Sequence, residues 1–237
     1  MISVVLTCLN DGPHLEACLQ SLGGFQGLEV RVVDGGSSES LAPRLARMGP
    51  VTLLHSPPGR ARQFNLGAAQ AQGEVLLFLH SDSLLPTGWR EEIGRILANP
   101  KNIAGAFSFK TDLDHPKMAR IERWANRRSR YLQLPYGDQG LFMAKATFEG
   151  LVGFAPLPLM EDYELVLRLK KQGRIETSPL PLVTSGRRWL AQGFGAVGWT
   201  NFKIILLYHL GISPDRLQKI YRSGPQQKAV DKQQKPG

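Results

Sequence analysis

The sequence predicts an α/β protein whose central sheet is mostly parallel and flanked by helices, and two features indicate this class. Four strand-like segments alternate with three helix-like segments over the first 80 residues, a rhythm typical of βαβ units. The fourth strand-like segment, 75–79, is an unbroken apolar run, as expected for a strand buried on both faces of a parallel sheet.

The elements of the first half follow from apolar spacing and turn residues. Strands are predicted at residues 2–7, 28–33, 51–54 and 74–79, and helices at 14–22 and 59–69, with a further helix ending near Met48. Ser37 or Ser38 is expected to cap that further helix, after a tight turn at two glycines.

The second half is less regular. Helices are predicted at 89–97, 116–132 and 161–172, strands at 103–109 and near 143, and an edge strand at 174–177. The apolar segment 199–210 is too short to span a bilayer. It could pack on the domain, pair with another subunit or lie on a membrane surface. From residue 224 onward the composition predicts a disordered tail.

Polar residues follow three of the predicted strands at their carboxyl ends, where open α/β sheets bind ligands. They are Asn10 and Asp11 after the first strand, Asp34 after the second, and Ser81 and Asp82 after the fourth. If these strands share one sheet edge, the carboxylates line a crevice beside Arg60 and Arg62. Acids for a ribose or metal and arginines for phosphates outline a nucleotide site, although Asp82 could simply cap the next helix.

Composition and charge leave several classes of ligand open. The chain has 237 residues and a net charge of +9, which suits an anionic ligand, an acidic membrane face or nucleic acid. Arginines crowd 116–132, but no stacking platform or nucleic-acid motif accompanies them, so we expect a solvated face and no nucleic acid. Two cysteines without metal spacing, and no leader at Met1, favour a cytoplasmic protein, with peripheral contact at the inner membrane surface still open.

Six short motifs then occur in one order: residues 3–11, 32–39, 65–67, 79–82, 160–162 and 187–189. Together they resemble family 2 of the inverting glycosyltransferases, whose fold is called GT-A. Residues 59–63, 79–83 and 136–140 look closest to a bacterial branch associated with radical-SAM or selenium-domain proteins and with arsenosugar biosynthesis.

The resemblance implies a role for each candidate residue. Donor binding is expected from Thr7, Asn10, Asp11, Asp34, Arg60, Arg62, Ser81 and Asp82, with Asp82 as the ligand of Mg²⁺ or Mn²⁺. Asp162 is expected to be the catalytic base. The acceptor or closing segment is expected to comprise Asp138, Gln139, Glu161, Arg187, Arg188 and Trp189. His80 departs from the family by replacing the first acid of its D-x-D motif.

These roles predict an inverting, metal-assisted transfer from a nucleotide-diphosphate sugar to the hydroxyl of a small-molecule or lipid-linked acceptor. We expect a catalytic domain over 1–190, a C-terminal helical segment over 191–223 and the tail over 224–237. Residues 199–212 could support peripheral membrane contact or a homodimer. The alternatives are a nucleotidyltransferase, whose glycine-rich basic loop after the first strand is missing here, and a non-catalytic nucleotide-sugar-binding protein. Asp138 and Glu161 could also be only a turn residue and a helix-capping acid.

Overall fold

A computed structural model describes residues 1–223, and one sheet organises this part of the chain. Its eight strands are β1 (Ile2–Cys8), β2 (Leu28–Asp34), β3 (Val51–His55), β4 (Val75–His80), β5 (Ser83–Leu84), β6 (Asn102–Thr111), β7 (Phe142–Ala144) and β8 (Arg174–Thr184). They lie in the order β3-β2-β1-β4-β7-β6-β8-β5. The first four sheet positions are parallel, β7 runs antiparallel to both its neighbours, and β6 and β8 are parallel again. The α/β class with a mostly parallel central sheet is confirmed.

Helices flank this sheet and continue past it. They are α1 (Gly12–Ser21), α2 (Ala42–Leu45), α3 (Arg60–Gln70), α4 (Trp89–Leu97), α5 (Pro116–Leu132), α6 (Lys145–Gly150), α7 (Glu161–Gln172), α8 (Arg187–Gln192), α9 (Phe194–His209) and α10 (Pro214–Ser223). A single 3-10 turn, Gly137–Gln139, precedes β7.

Apolar side chains cover both faces of the sheet, as the unbroken run 75–79 predicts. Along β4, Leu77 and Leu79 join one buried cluster, whereas Leu76 and Phe78 join the cluster on the opposite face. Successive side chains of a strand alternate between faces, so an all-apolar strand needs a cover on each side.

Two elements differ from their predicted form. The predicted edge strand at 174–177 is present, with β6 as its paired neighbour, but it is only the first part of β8, which runs to Thr184 and pairs with β5 at Val183 and Thr184. Pro179 and Pro181 disguise this strand in the sequence because proline cannot donate a backbone hydrogen bond. A register shift between Ala106 and Ser108 of the paired β6 accommodates them. The helix predicted to end near Met48 contracts to the single turn α2.

The C-terminal helices pack against α7 around a third apolar cluster. Met160 and Tyr163 of the α7 start meet Ile204 of α9 and Leu217 of α10 there. The Tyr163 hydroxyl also lies 2.8 Å from His209 Nε2 at the end of α9. No helix within residues 1–223 is long and apolar enough to cross a membrane. The predicted disordered tail lies outside the described residues.

We predict that Gly67→Ala destabilises the protein because α3 packs too closely on β1 to admit a side chain. A Cβ atom at position 67 would overlap Val5 Cγ1 and lie 3.1 Å from Val33 Cγ2. Overpacking of this kind costs about 1–3 kcal/mol of unfolding free energy, measurable by urea denaturation. Gly94→Ala in α4 is the matched control, since a Cβ there meets nothing within 4 Å. Alanine should stabilise that helix by about 0.5–1 kcal/mol. Equal effects at the two positions would contradict this explanation.

Candidate functional site

The candidate site begins where three parallel strands end side by side. Thr7 of β1 is in register with Val33 of β2 on one side and with His80 of β4 on the other. The polar segments after these strands therefore emerge at one edge of the sheet, as the sequence predicts. Loops from the α7 side and from α8 complete the site.

Asp11 joins this edge to the distant α8. Its carboxylate accepts two hydrogen bonds from Arg187, at 2.8 and 3.0 Å, and one from the Ser81 hydroxyl at 2.7 Å. His14 Nδ1 lies 2.8 Å from the same carboxylate. Burial alone would raise the pKa of Asp11, but the hydrogen bonds from Arg187 and Ser81 outweigh it and lower that pKa. A carboxylate has about four acceptor positions. Asp11 can therefore bind a nucleoside only by exchanging one of these partners.

Asn10 and Asp34 shape the adjoining turn. The Asp34 carboxylate accepts hydrogen bonds from the Ser37 hydroxyl at 2.6 Å and from the Ser37 amide at 3.1 Å. The Asn10 side-chain oxygen accepts one from the Ser38 amide at 2.8 Å. Ser37 or Ser38 was predicted to cap the following helix. That helix, α2, has no side-chain cap, and the two serines bind Asp34 and Asn10 instead. These hydrogen bonds fix the side chains of Asn10, in the loop after β1, and of Asp34, the last residue of β2.

His80, which the resemblance puts at the position of the first D-x-D acid, is an uncharged side chain in this structure. Burial, with the nearby Arg60 cation, lowers its pKa to about 4, so the imidazole is neutral at pH 7. Its Nδ1 lies 3.3 Å from the Thr7 hydroxyl oxygen. On the other side, a Cβ at position 137 would lie 3.3 Å from His80 Nε2 and 3.0 Å from Asp162 Oδ2. Gly137 is therefore required for His80 and Asp162 to face the same space.

Asp162 is held by two backbone amides at the start of α7. Its Oδ2 accepts a hydrogen bond from the Gly137 amide at 2.6 Å, and its Oδ1 accepts one from the Tyr163 amide at 2.7 Å. Each carboxylate oxygen has a second lone pair. The side chain is thus fixed in direction and can still accept a proton.

Glu161 points away from Asp162 and binds an arginine. It is 2% exposed, and its Oε1 lies 2.6 Å from Arg60 Nε. The charge of Glu161, followed by those of Asp162 and Asp138, raises the pKa of Arg60 despite burial, so the guanidinium stays cationic. Glu161 is thus more than a helix-capping acid, because it positions Arg60 at the site.

Two adjoining cavities are lined by most of the predicted site residues, whereas Asn10, Asp34, Gln139 and Glu161 line neither of them. The first, of about 390 Å³, is lined by Arg60, His80, Asp82, Asp138, Asp162, Arg187, Arg188 and Trp189, among others. The second, of about 580 Å³, is lined by Thr7, Asp11, Arg60, Arg62, His80, Ser81 and Arg187, among others. Arg60, His80 and Arg187 line both and mark the junction between them.

The structure does not bring Gln139 into either cavity. The residue is fully buried, and its side-chain oxygen accepts hydrogen bonds from the Ser129 hydroxyl at 2.7 Å and the Tyr136 amide at 3.1 Å. Its amide group donates to the Phe107 carbonyl at 2.9 Å. Gln139 therefore fixes the 137–140 turn and lines neither cavity, so it could act on the predicted acceptor or closing segment only through the position of this turn. Sequence could not distinguish it from Asp138, which does line the cavity.

Several cavity residues are absent from the sequence prediction. Tyr136, Asn201 and Tyr221 line the first cavity, two of them from α9 and α10. Arg188 lies over the Tyr221 ring at 4.9 Å, and its Nη2 lies 3.5 Å from the Asn201 side-chain oxygen. An apolar helix with a single asparagine gives no motif, so only the folded chain identifies these residues.

Asp82 is the described residue best suited to a divalent cation. Within residues 1–223, no group of three or more His, Cys, Asp or Glu side chains could hold a metal ion. Mg²⁺, however, is often bound by one or two carboxylates together with substrate phosphates. Asp82 lines the first cavity, and its ion pair with Arg187 is long, at 3.6 Å. Burial, with the neighbouring Asp11, raises the pKa of Asp82 although Arg187 opposes it. A cation shared with a diphosphate fits this carboxylate.

Comparison with known proteins identifies the class. Residues 3–151 match the profile described as Glycosyl transferase family 2. An uncharacterised glycosyltransferase of Haemophilus influenzae is 23% identical over 73% of this chain and 63% of its own length. An uncharacterised protein of Mycobacterium tuberculosis, MT1568, is 31% identical over 42% of this chain and 33% of its own.

Two solved structures share the fold. A mannosyltransferase of Pyrobaculum calidifontis, PcManGT, in complex with GDP-Man and Mn²⁺, superposes with a TM-score of 0.66 at 19% identity, covering 86% of this chain and 60% of that one. TarS 1–349 of S. aureus in complex with UDP-GlcNAc gives 0.61 at 16% identity, covering 78% and 58%. The chain thus spans less than two thirds of each of these four proteins. It belongs to glycosyl transferase family 2 and has the GT-A fold.

We predict that Asp138→Asn stabilises the folded protein at pH 7.5 and has less effect at pH 4.5. Burial raises the pKa of Asp138 to about 6, although Arg128 opposes this shift. As the pH rises through about 6, Asp138 loses its proton and the buried charge lowers the stability of the folded protein. Asparagine stays neutral at both pH values and avoids this loss. Urea denaturation at the two pH values measures the difference. The exposed Asp114→Asn is the control, and an equal gain at both pH values for Asp138→Asn would contradict the prediction.

Proposed function

We propose that the protein transfers a sugar from a nucleotide-diphosphate donor to an acceptor hydroxyl, with inversion at the anomeric carbon. One observation carries the proposal: Asp82 and Asp162 line the same cavity of a family 2 fold, with Arg60 and Arg187 between it and the neighbouring cavity. In this proposal Arg60 and Arg187 would meet the leaving diphosphate, and the fixed Asp162 carboxylate would meet the attacking hydroxyl.

The second cavity would hold the nucleoside. Asp11 and Ser81 line it from the strand ends, and Arg62 lines it from α3. Arg187 would release one of its two hydrogen bonds to Asp11 when the nucleoside binds there. The exchange would couple donor binding to a movement of the Arg187 side chain, which belongs to the segment expected to close over the donor.

Arg60 and Arg187 at the junction would stabilise the diphosphate as negative charge develops on it. Glu161 fixes the Arg60 guanidinium in place, so little reorganisation is needed when the bond breaks. Asp82 would hold Mg²⁺ or Mn²⁺, which when bound supplies further neutralisation of the leaving diphosphate. His80, neutral and half-buried, offers a nitrogen where the family's D-x-D motif has a carboxylate.

Asp162 would act as general base toward the acceptor hydroxyl. A hydroxyl is a weak nucleophile at neutral pH, and a positioned base contributes about 10²- to 10⁴-fold to the rate. The amides of Gly137 and Tyr163 orient its carboxylate without filling all its lone pairs. Asp138 lines the same cavity and would contact the acceptor or the donor sugar.

Three finer points stay predictions. We propose that the chain belongs to the radical-SAM- or selenodomain-associated branch, on residues 59–63, 79–83 and 136–140. We propose a cytoplasmic location, with peripheral contact at the inner membrane surface or a homodimer through 199–212. The two related structures hold GDP-Man and UDP-GlcNAc, so GDP and UDP sugars are the first donors to test.

We predict that Asp162→Asn lowers transfer by about 10²- to 10⁴-fold while donor affinity stays within about twofold, because only the base is lost. A donor screen with Mg²⁺ or Mn²⁺ that reads released nucleoside diphosphate identifies the substrate and measures the rate. Titration calorimetry measures binding. Asp114→Asn should transfer at the wild-type rate, and normal turnover in Asp162→Asn would refute its role as base.

We predict that Asp82→Asn weakens the Mn²⁺-dependent part of nucleoside-diphosphate binding by about tenfold or more, since one neutral amide replaces the carboxylate ligand. Calorimetric titration of GDP and UDP with Mn²⁺ and with EDTA measures this part separately. Binding without Mn²⁺ should change little. An equal loss with and without Mn²⁺ would instead assign Asp82 a role unrelated to metal.

A further inference from the structure

A long apolar groove lies between α5 and α9, next to the first cavity. It encloses about 690 Å³ and is lined mainly by apolar and aromatic side chains. Ile121 and Trp124 contribute from α5, and Phe202 and Ile205 contribute from α9. The proposed reaction described above does not use this groove.

The groove opens into the candidate site. Tyr136, Asp138 and Trp189 line both the groove and the first cavity. Asp162 lines the first cavity as well. A molecule that lies in the groove therefore ends beside the carboxylates proposed to meet the acceptor, on the side of the cavity away from the strand-end donor residues.

The rim of the groove exposes large aromatic rings to water. Trp124 is 74% exposed and Phe202 56% exposed, and the Trp199 ring stacks on Phe202 with centroids 5.7 Å apart. Single exposed apolar residues are ordinary, whereas a contiguous exposed patch beside a concave surface indicates a binding site. Tryptophan and tyrosine are also the residues favoured where water meets lipid.

The same rim is positively charged. Arg120 and Arg127 line the groove, and neither takes part in an ion pair among the described residues. Free guanidinium groups next to an apolar wall complement an anionic group attached to an apolar chain. A symmetric contact with a second copy of the chain would place these cations against each other, which disfavours a homodimer at this surface.

We propose that this groove binds the apolar chain of the acceptor, which is an anionic amphiphile whose reacting end enters the first cavity. This inference rests on the proposed function, because the roles proposed for Asp138 and Asp162 decide which end of the acceptor lies in the first cavity. Of the two acceptor classes that the sequence leaves open, the groove favours the lipid-linked one. The groove is concave and continuous with the first cavity, so it can hold a single acyl or prenyl-like apolar chain. A flat bilayer surface could not fill it.

Two glycines of α9 allow a matched test. A Cβ at Gly198 or at Gly195 meets nothing within 4 Å, but only Gly198 lines the groove. Leucine at either position gains helix propensity to the same extent. Gly198→Leu should therefore fill the groove without disturbing the fold, and Gly195→Leu should leave the groove open.

The experiment titrates the full chain by calorimetry with n-octyl phosphate and n-butyl phosphate below their micelle concentrations. We expect octyl phosphate to bind at least tenfold more tightly, because each buried methylene adds about fourfold. Gly198→Leu should weaken octyl phosphate binding at least tenfold, and Gly195→Leu should change it less than twofold. Inorganic phosphate, which lacks the apolar chain, should displace octyl phosphate only at concentrations at least about tenfold higher.

Other results would overturn the inference. Octyl phosphate that binds no better than butyl phosphate, or equally to both leucine variants, excludes a chain site in this groove. Sedimentation with phosphatidylglycerol vesicles, without binding of octyl phosphate, assigns the patch to a bilayer surface. Loss of a wild-type dimer in Gly198→Leu assigns it to a subunit contact. GDP and UDP titrations of the same proteins test the proposed function separately, since the donor half lies outside the groove.

Discussion

The parallel alignment of β1, β2 and β4 is the constraint on which the site depends. Because Thr7 pairs in register with Val33 and His80, the segments after these strands emerge together. The alignment holds because each of the three strands contributes apolar side chains to the buried clusters on both faces of the sheet. A shift by one residue would turn every side chain of the moved strand to the opposite face. The core thus fixes the positions of the polar residues.

Contacts distant in sequence then close the site. Arg187 reaches back across the sheet to Asp11, and α9 and α10 cover the first cavity beside the start of α7. These helices bury little of their own apolar surface against the sheet. Aromatic rings of α9 lie at the groove, and polar side chains of α9 and α10 line the cavity, so one segment lines both the groove and the first cavity.

Charge compensation keeps a crowded set of ionisable groups folded. Glu161 pairs with Arg60, and Arg187 pairs with Asp11, whereas within residues 1–223 Asp138 takes part in no ion pair and Asp82 has only its long pair with Arg187. Buried charges are costly unless they are paired. The residues with complete pairing therefore hold the frame, and those with incomplete pairing are available to a cation or a substrate.

The sequence by itself determined the α/β class, the four parallel strands of the first half and the meeting of Asp11, Ser81 and Asp82 at one edge, because apolar period and strand order are local signals. It also gave no sign that Gln139 is buried while Asp138 faces the cavity, since the two are adjacent in one turn. Only the tertiary structure decided that Arg187 binds Asp11, that β8 continues past its two prolines to Thr184 and that an apolar groove joins the cavity. Those features depend on contacts between residues far apart in the chain, for which no local pattern exists.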